Sequence, residues 1–431
     1  MRKLFLLITL LAAIGIKAEN YPTRSDYLWV TVPDHNDWLY KTNEKATVDV
    51  QLYKYGVPQN VEVKYEISPD MLPATSNGTI VLKNGKGSIS MGTRKTPGFT
   101  DLKLTATIDG QSTSHHIKVG YGVDKITPYT KEPKDFMDFW QNEIAEMRKT
   151  PLAFSVEAAH EYDTKKADCY LLRLEVNKQH QCIYAYYWLP RDNKKGPIVL
   201  CPPGAGVKTI KEPLRHSYYA DNGCIRMEME IHGLDPRISD NQFKEISNAL
   251  STGANGYLTN GLDSREHYYM RRVYLSLVRC IDYLTSLPQW DGKNVVLQGG
   301  SQGGALSIIA AALDSRVTLC VANHPALADM AGYAEDGRTG GYPHMHKTGH
   351  LTPQFIKTLE YYDVVNFARH ITCPVRMTWG YNDSTCPPTT SYAVWNVLTC
   401  PKESLITPIN EHWTSEQTEK SHCDWIMKRI K

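Results

Sequence analysis

The sequence predicts a mostly parallel α/β sheet preceded by a small all-β sandwich, and three observations carry that expectation. The chain has 431 residues, 42% of them apolar, which is long and apolar enough for two domains. Up to about residue 120, short alternating apolar runs are separated by turn formers, the pattern of strands. From Tyr170 onward the apolar runs are largely unbroken, as strands buried on both faces require, and helical patterns fall between them.

Residues 1–18, "MRKLFLLITLLAAIGIKA", stand apart from the fold. Arg2 and Lys3 precede an apolar run from Leu4 to Ile14, and small residues lead to a cleavage position at Ala18, so the segment reads as a signal peptide. It is short for a membrane span and nothing later resembles one, which makes the expected protein periplasmic or secreted, with no membrane partner after cleavage. A formal net charge of +2 without a long like-charge run excludes the basic stripe that nucleic acid requires. All ten cysteines lie between Cys169 and Cys423. Export would permit disulfides, but Cys201, Cys224, Cys280 and Cys320 fall in apparent core elements, where burial as small hydrophobes is as natural as bridging. Asn-x-Ser/Thr sequons occur at Asn77 and Asn382; a glycan on the second would crowd a residue given a chemical role below, which favours a bacterial periplasm.

Between residues 20 and 120, "YLWVTVP", "ATVDVQLY", "VEVKYEI", "GTIVLKNGKGSISM", "DLKLTATID" and "SHHIKVGY" read as six or seven strands of an immunoglobulin-like sandwich. In "DLKLTATID", Leu102, Leu104, Ala106 and Ile108 share one face. The region holds no Cys and no obvious catalytic cluster, so an accessory or packing module is expected. "GVDKITPYTKEP" follows as a linker, and "KDFMDFWQNEIAEMRKT" as an amphipathic helix with Phe136, Phe139, Trp140 and Ile144 along one side. The rest of 121–431 alternates strands and helices. Eight strands are expected: "YLLRLEV", "CIYAYYWLP", "PIVLCPP", "CIRMEMEI", "NVVLQGG", "VTLCVAN", "PVRMTWG" and "ESLITPI".

The chemistry is announced by "NVVLQGGSQGGALSIIAAALD". "VVLQ" is a strand, "GALSIIAAALD" a helix, and Gly299-Gly300-Ser301-Gln302-Gly303 joins them, a G-x-S-x-G in its strand–turn–helix setting. The sharp turn strains the serine backbone, and its glycines let strand and helix approach. The hydroxyl is thereby lifted to the carboxyl edge of the sheet, beside a helix N-terminus able to receive developing negative charge. This is the nucleophile elbow of the α/β-hydrolase fold, in which an acid and then a histidine follow the serine in chain order. Asp383 lies just past the seventh expected strand, in a turn closed by Pro387-Pro388. His412 lies just past the eighth, before the last helix. Rival positions are His422, within that helix and better suited to packing, and the acids Asp363 and Asp329. The oxyanion should meet the Gln302 amide and a second donor in "CPPGAGV"; Pro202 and Pro203 lack an N–H, leaving Gly204, Ala205 and Gly206, with Ala205 preferred.

Two weaker features lie outside the triad. His344, His346 and His350 gather in "PHMHKTGH", but no close acidic or Cys residue completes a metal set and serine chemistry needs neither metal nor cofactor, so a solvated lid or cap loop is expected. Tyrosine is abundant at 26 residues and "GYAEDGRTGGYPH" could present aromatic surface to a sugar, although tyrosine is equally ordinary core material.

With these residues in hand, the region from about Thr127 to Lys431 resembles the acetyl xylan esterase / cephalosporin C deacetylase family of α/β-hydrolases. The resemblance rests on "KDFMDFWQNEI", "YYMRRVYLSLVRCIDYL", "GGSQGGALSIIAAAL", "YYDVVNFARHITCPV" and "NDSTCPPTTSYAVWN". It implies cofactor-free removal of acetyl groups from sugar hydroxyls, mostly of xylo-oligosaccharides, by a triad of Ser301, Asp383 and His412. It also implies a homo-oligomer, often a hexameric ring, which the β module outside the resemblance could obstruct. Three departures fall at the pocket rim. Pro203-Gly204-Ala205-Gly206-Val207 replaces His-Gly-Tyr-Gly-Gly, His232-Gly233-Leu234-Asp235 replaces Arg-Gly-Gln-Gly, and Glu411-His412-Trp413 stands where the family has His-Glu. The expected protein is a secreted serine carboxylesterase acting on acetylated carbohydrate. A prolyl-oligopeptidase-type peptidase shares the fold and triad order but would bring a propeller-sized N-terminal domain. A glycan-binding protein with an inert hydrolase domain is opposed by the complete triad.

Overall fold

The computed structural model describes residues 26–192, 194–251, 256–349 and 351–430. The expected signal peptide, residues 1–18, and His350 of the histidine-bearing excursion lie outside the described residues.

Among the described residues, nine strands form the N-terminal part: β1 (Tyr27–Pro33), β2 (Leu39–Tyr40), β3 (Lys45–Lys54), β4 (Val57–Pro58), β5 (Glu62–Pro69), β6 (Ser76–Val81), β7 (Lys86–Thr93), β8 (Gly98–Ile108) and β9 (Gln111–Tyr121). One sheet is built on β3, which pairs antiparallel with β1, β4 and β7. The other runs β2-β9-β8-β5-β6. Period-two alternation closes a core between them: Val48, Val50 and Leu52 of β3 meet Val63 and Ile67, Leu102 and Leu104, and Ile117 and Val119. The count exceeds the six or seven expected because β2 and β4 are two residues long and too short to display an alternation. In β9, Ile117, Val119 and Tyr121 face this core, so His116, Lys118 and Gly120 leave on the opposite face of the pleat.

The second part is one sheet of nine strands: β10 (Phe154–Ala158), β11 (Ala167–Glu175), β12 (Cys182–Pro190), β13 (Gly196–Cys201), β14 (Ile225–Met229), β15 (Trp290–Gly300), β16 (Leu319–Asn323), β17 (Val375–Trp379) and β18 (Lys402–Ile406). Their order is β10-β11-β12-β14-β13-β15-β16-β17-β18. From β14 to β18 neighbours pair in parallel, whereas β10, β11, β12 and β14 pair antiparallel in turn. The eight expected strands are all present; the ninth, β10, corrects the count. It is an edge strand whose five residues are all exposed, so it leaves no apolar signature to read.

Central strands are buried on both faces, which explains their unbroken apolar runs. Ile198, Leu200, Val295, Leu297, Cys320 and Ala322 face α1 (Phe136–Arg148), α2 (Tyr269–Ser286) and α3 (Gln302–Leu313). Val199, Val296, Leu319 and Val321 alternate with them and face the last helix, through its Trp425 and Ile426. All ten thiols are free, seven of them buried, and thus serve as core side chains. No helix among the described residues is long and apolar enough to cross a membrane.

The segment expected as a linker is packed into this architecture. Val123 and Ile126 are buried in the α/β core, and the Tyr129 and Thr130 amides each donate to the Asp329 carboxylate at 2.8 Å. Beyond it, α1 docks through Trp140, which is fully buried among Tyr274, Tyr362 and Phe367 and donates its indole N–H to the Tyr361 carbonyl at 2.9 Å. Trp140→Ala is therefore expected to cost about 3–5 kcal/mol of folding free energy, read from urea unfolding.

Candidate active site

β15 runs into α3 through Ser301, whose backbone sits at φ 59°, ψ −125°, a region that residues with a Cβ rarely enter. Three backbone hydrogen bonds hold it there. The Ser301 amide donates to Asn323 O at 3.0 Å, and its carbonyl accepts from Ala305 N at 3.1 Å and Ala326 N at 3.0 Å. The glycines are required by contact: a Cβ on Gly299 would lie 2.4 Å from the Gly303 carbonyl, and one on Gly303 would lie 2.3 Å from Pro202 O.

This geometry brings Ser301, His412 and Asp383 together. His412 Nε2 is 3.0 Å from Ser301 Oγ, and Nδ1 is 2.8 Å from Asp383 Oδ2. The other carboxylate oxygen accepts from the amides of Thr385 at 2.7 Å and Cys386 at 2.8 Å, which anchors Asp383, itself fully buried. The network assigns the proton to Nδ1, facing the carboxylate, and leaves the Nε2 lone pair toward the hydroxyl. Both residues follow parallel strands that end at the same sheet edge as the elbow, β17 for Asp383 and β18 for His412.

The Gln302 amide opens α3, where a helix leaves its first N–H groups without an internal partner. Its buried side chain accepts from the Tyr257 hydroxyl at 2.7 Å, and that hydroxyl accepts from the Gly206 amide at 3.1 Å. Gly206 N–H is thus committed, and the donor candidates in the loop after β13 reduce to Gly204 and Ala205. His232 lies behind the same loop, 3.2 Å from Gly206 O and 2.7 Å from the Tyr269 hydroxyl. Burial pushes it down to about 4, so it is a neutral bridge near pH 7.

Two residues here escaped the sequence. Tyr257 was indistinguishable among 26 tyrosines. His324 had a usable signal, its place directly after β16 at the carboxyl edge. Its ring centroid lies 4.5 Å from that of His412, and burial, aided by His412, pushes it down to about 4. The expected rivals are occupied elsewhere. Asp363 caps a short helix at Val365 N, 3.0 Å away, and accepts from the amides of Asp329 and Met330; burial and neighbouring Asp329 push it up to about 8. His422 is fully buried beneath the sheet, 3.2 Å from Thr378 Oγ1.

The histidine-bearing excursion is corrected in one respect: it is not a solvated loop around His344. That residue is buried, 2.9 Å from the Tyr333 hydroxyl and 3.0 Å from Thr385 O, and so braces the Asp383 turn, while Tyr333 packs its ring on His346. Among the described residues, Cys201, His216 and Glu228 do place ligand-type atoms within 4.8 Å of one another. Arg226 pairs with that glutamate, and burial together with Arg226 and Arg215 pushes His216 down to about 3. Positive charge at this spot opposes a bound cation.

Ser301 and His412 open into a cavity of about 550 Å³ whose other walls include Lys208, Arg215, Glu419 and Trp413. Trp413 is 49% exposed at its rim, immediately beyond His412.

Residues 122–429, more than half of the chain, match the family model described as Acetyl xylan esterase (AXE1). The chain is 59% identical to the acetyl esterase Axe7A of Xylanibacter ruminicola over 431 aligned residues, covering 99% of this chain and 97% of the relative. Its fold is similar to an acetyl xylan esterase from Paenibacillus sp. R4, with a TM-score of 0.62 at 25% identity over 71% of this chain and 98% of that one. It is also similar to acetyl xylan esterase 1 from a Thermoanaerobacterium species, with a TM-score of 0.61 at 23% identity over 71% and 97%. The unmatched share of this chain is of the size of the N-terminal sandwich.

The buried histidines give the fold an acid sensitivity with a definite sign. His422 is pushed by burial from about 6.5 to about 3, so the unfolded chain takes up its proton first. Its contribution is complete above about pH 6.5 and declines as pH falls toward 3. Between pH 7 and pH 5 its share of the loss is expected to be about 1–2 kcal/mol, the amount by which the total loss shrinks in His422→Gln in paired urea titrations at the two pH values.

Proposed function

Because the chain belongs to the acetyl xylan esterase family, and is an ester hydrolase of the α/β-hydrolase type, we propose that it deacetylates sugar hydroxyls of xylan-type plant saccharides through serine chemistry. The observation that carries the mechanism is the continuous hydrogen-bonded chain Ser301–His412–Asp383 above a cavity.

In this reading His412 Nε2 takes the hydroxyl proton as Ser301 Oγ attacks the acetyl carbonyl carbon. The carbonyl oxygen becomes an oxyanion and is met by the Gln302 amide and, as second donor, the Ala205 amide. Asp383 holds the Nδ1 proton in place and stabilises the imidazolium while it exists. The tetrahedral species collapses when His412 returns the proton to the departing sugar oxygen, leaving an acetyl ester on Ser301. Water, deprotonated by the same nitrogen, then releases acetate and restores the serine. The low folded-state titration of neighbouring His324 keeps a second positive charge away from the imidazolium at neutral pH.

Two further features support a saccharide leaving group. The cavity is lined by charged and polar side chains as well as apolar ones, and Trp413 offers an exposed indole where a pyranose face could stack. The basic start, apolar run and small residues of positions 1–18 support export, with action in the periplasm or outside the cell.

Ser301→Ala is expected to lower turnover of p-nitrophenyl acetate on the order of 10⁶-fold; near-full hydrolysis by that variant rejects the nucleophile. Trp413→Ala is expected to reduce the ratio of kcat/KM for acetylated xylo-oligosaccharide to that for p-nitrophenyl acetate by about three- to tenfold. Acetate release compared across acetylated xylan, acetylated mannan and small acetylated sugars reads out the substrate class directly.

A further inference from the structure

The outward face of β9 is buried against the loop that carries Asp383. Lys118 is fully buried, and it grips two successive residues of that loop: its amide donates to Asn382 Oδ1 at 2.9 Å and its ammonium donates to the Asp383 carbonyl at 2.7 Å. The charge is balanced by Asp70, also fully buried, whose Oδ1 lies 2.9 Å from Lys118 Nζ. Asp70 follows β5 directly and reaches the α/β part itself. Its Oδ2 accepts from Thr389 Oγ1 at 2.7 Å, and its carbonyl accepts from Thr339 Oγ1 at 2.6 Å. Two residues before Lys118, His116 lies 3.1 Å from Asp101 and 3.7 Å from Glu411, the neighbour of His412. Phe99 of β8 packs its ring on Tyr381 and Tyr392, at 5.0 and 5.8 Å between centroids.

An interface needed only for adhesion has no use for this ion pair. Removing two charges from water costs several kcal/mol per ion, and packed apolar side chains of similar volume hold surfaces together as well or better. What the ammonium supplies, and a methionine cannot, is a proton donor aimed at the main chain of Asp383. Asn382 shows the same commitment from the loop side. It is buried, so the sequon there presents no accessible acceptor in the folded chain.

We propose that the N-terminal sandwich is part of the machinery of the ester-cleaving centre, with Lys118 as a positioning residue that clamps the Asp383 loop in register with His412. The inference rests on the Ser301–His412–Asp383 reading given above. It gives the module expected as accessory or packing a place at the site: β9 holds from outside the turn that Thr385 and Cys386 amides hold from within.

The test uses the full chain. Lys118→Met is expected to lower kcat for p-nitrophenyl acetate on the order of ten- to hundredfold per active site titrated with a fluorophosphonate, with KM little changed, because misplacement by a fraction of an ångström acts on the chemical step. The same variant leaves Asp70 as a lone buried carboxylate and should be less stable. The double variant Lys118→Met/Asp70→Asn removes that penalty. Recovered stability with kcat still depressed supports the clamp; kcat restored along with stability shows a purely structural pair and overturns it. If neither accumulates as folded protein, Asn382→Ala cuts the amide tie, together with the Asn382 Nδ2 donation to the Ile409 carbonyl at 3.3 Å, and an unchanged kcat there overturns the clamp. Ser301→Ala, run alongside, separates the two readings. Activity surviving in it sinks the triad itself, whereas an inactive Ser301→Ala beside normal Lys118 variants sinks only the clamp.

Discussion

Ser301 is kept in a conformation that its own side chain disfavours, at a cost of order 1–3 kcal/mol that the surroundings must outweigh. They do so with three backbone hydrogen bonds, to Asn323, Ala305 and Ala326, two of which tie the turn to β16 and the segment after it. Strand and helix then close to a separation that only glycine at 299 and 303 permits. Everything functional follows from that closure. The hydroxyl is lifted above the sheet edge, the Gln302 amide is left at the open end of α3, and α3, buried from Gln302 to Ala311, is pinned between the sheet and its covering helices.

A second constraint is electrostatic. His232 and His324 at the edge of the sheet, and His422 beneath it, are driven well below neutrality by burial, so each is an uncharged packing or bridging group near pH 7. His412 differs in having a carboxylate on one ring nitrogen and a hydroxyl on the other. A cluster of imidazoles thereby contains one candidate for proton transfer rather than several competing ones.

The two parts of the molecule are joined by more than a covalent connection. Val123 and Ile126 of the segment 122–133 are buried in the α/β core, Phe99 reaches across from β8, and the buried Lys118–Asp70 pair bridges β9 and the Asp383 loop. Period-two alternation makes this economical: one face of β9 builds the sandwich core, and the other is free to build the interface. The family match begins at residue 122, so the clamp comes from the part of the chain that lies outside it.

Local grammar was enough for much of this protein. The elbow, the eight main strands of the large sheet, the sandwich, and the positions of Ser301, Asp383 and His412 were legible because each depends on residues near one another in the chain. A glycine-flanked turn, an apolar run or a residue just beyond a strand is a local signal. What stayed hidden required partners far away in sequence. The exposed edge strand β10 has no buried face to read, Tyr257 is one tyrosine of many, His344 is buried against the distant Asp383 turn as well as its own loop, and a lysine in an alternating strand reads as solvent-facing. Lys118 meets Asn382 and Asp383 across 264 and 265 residues. Only packing decides whether such a side chain faces water or another part of the fold, since burial belongs to the assembled surfaces and not to the residue.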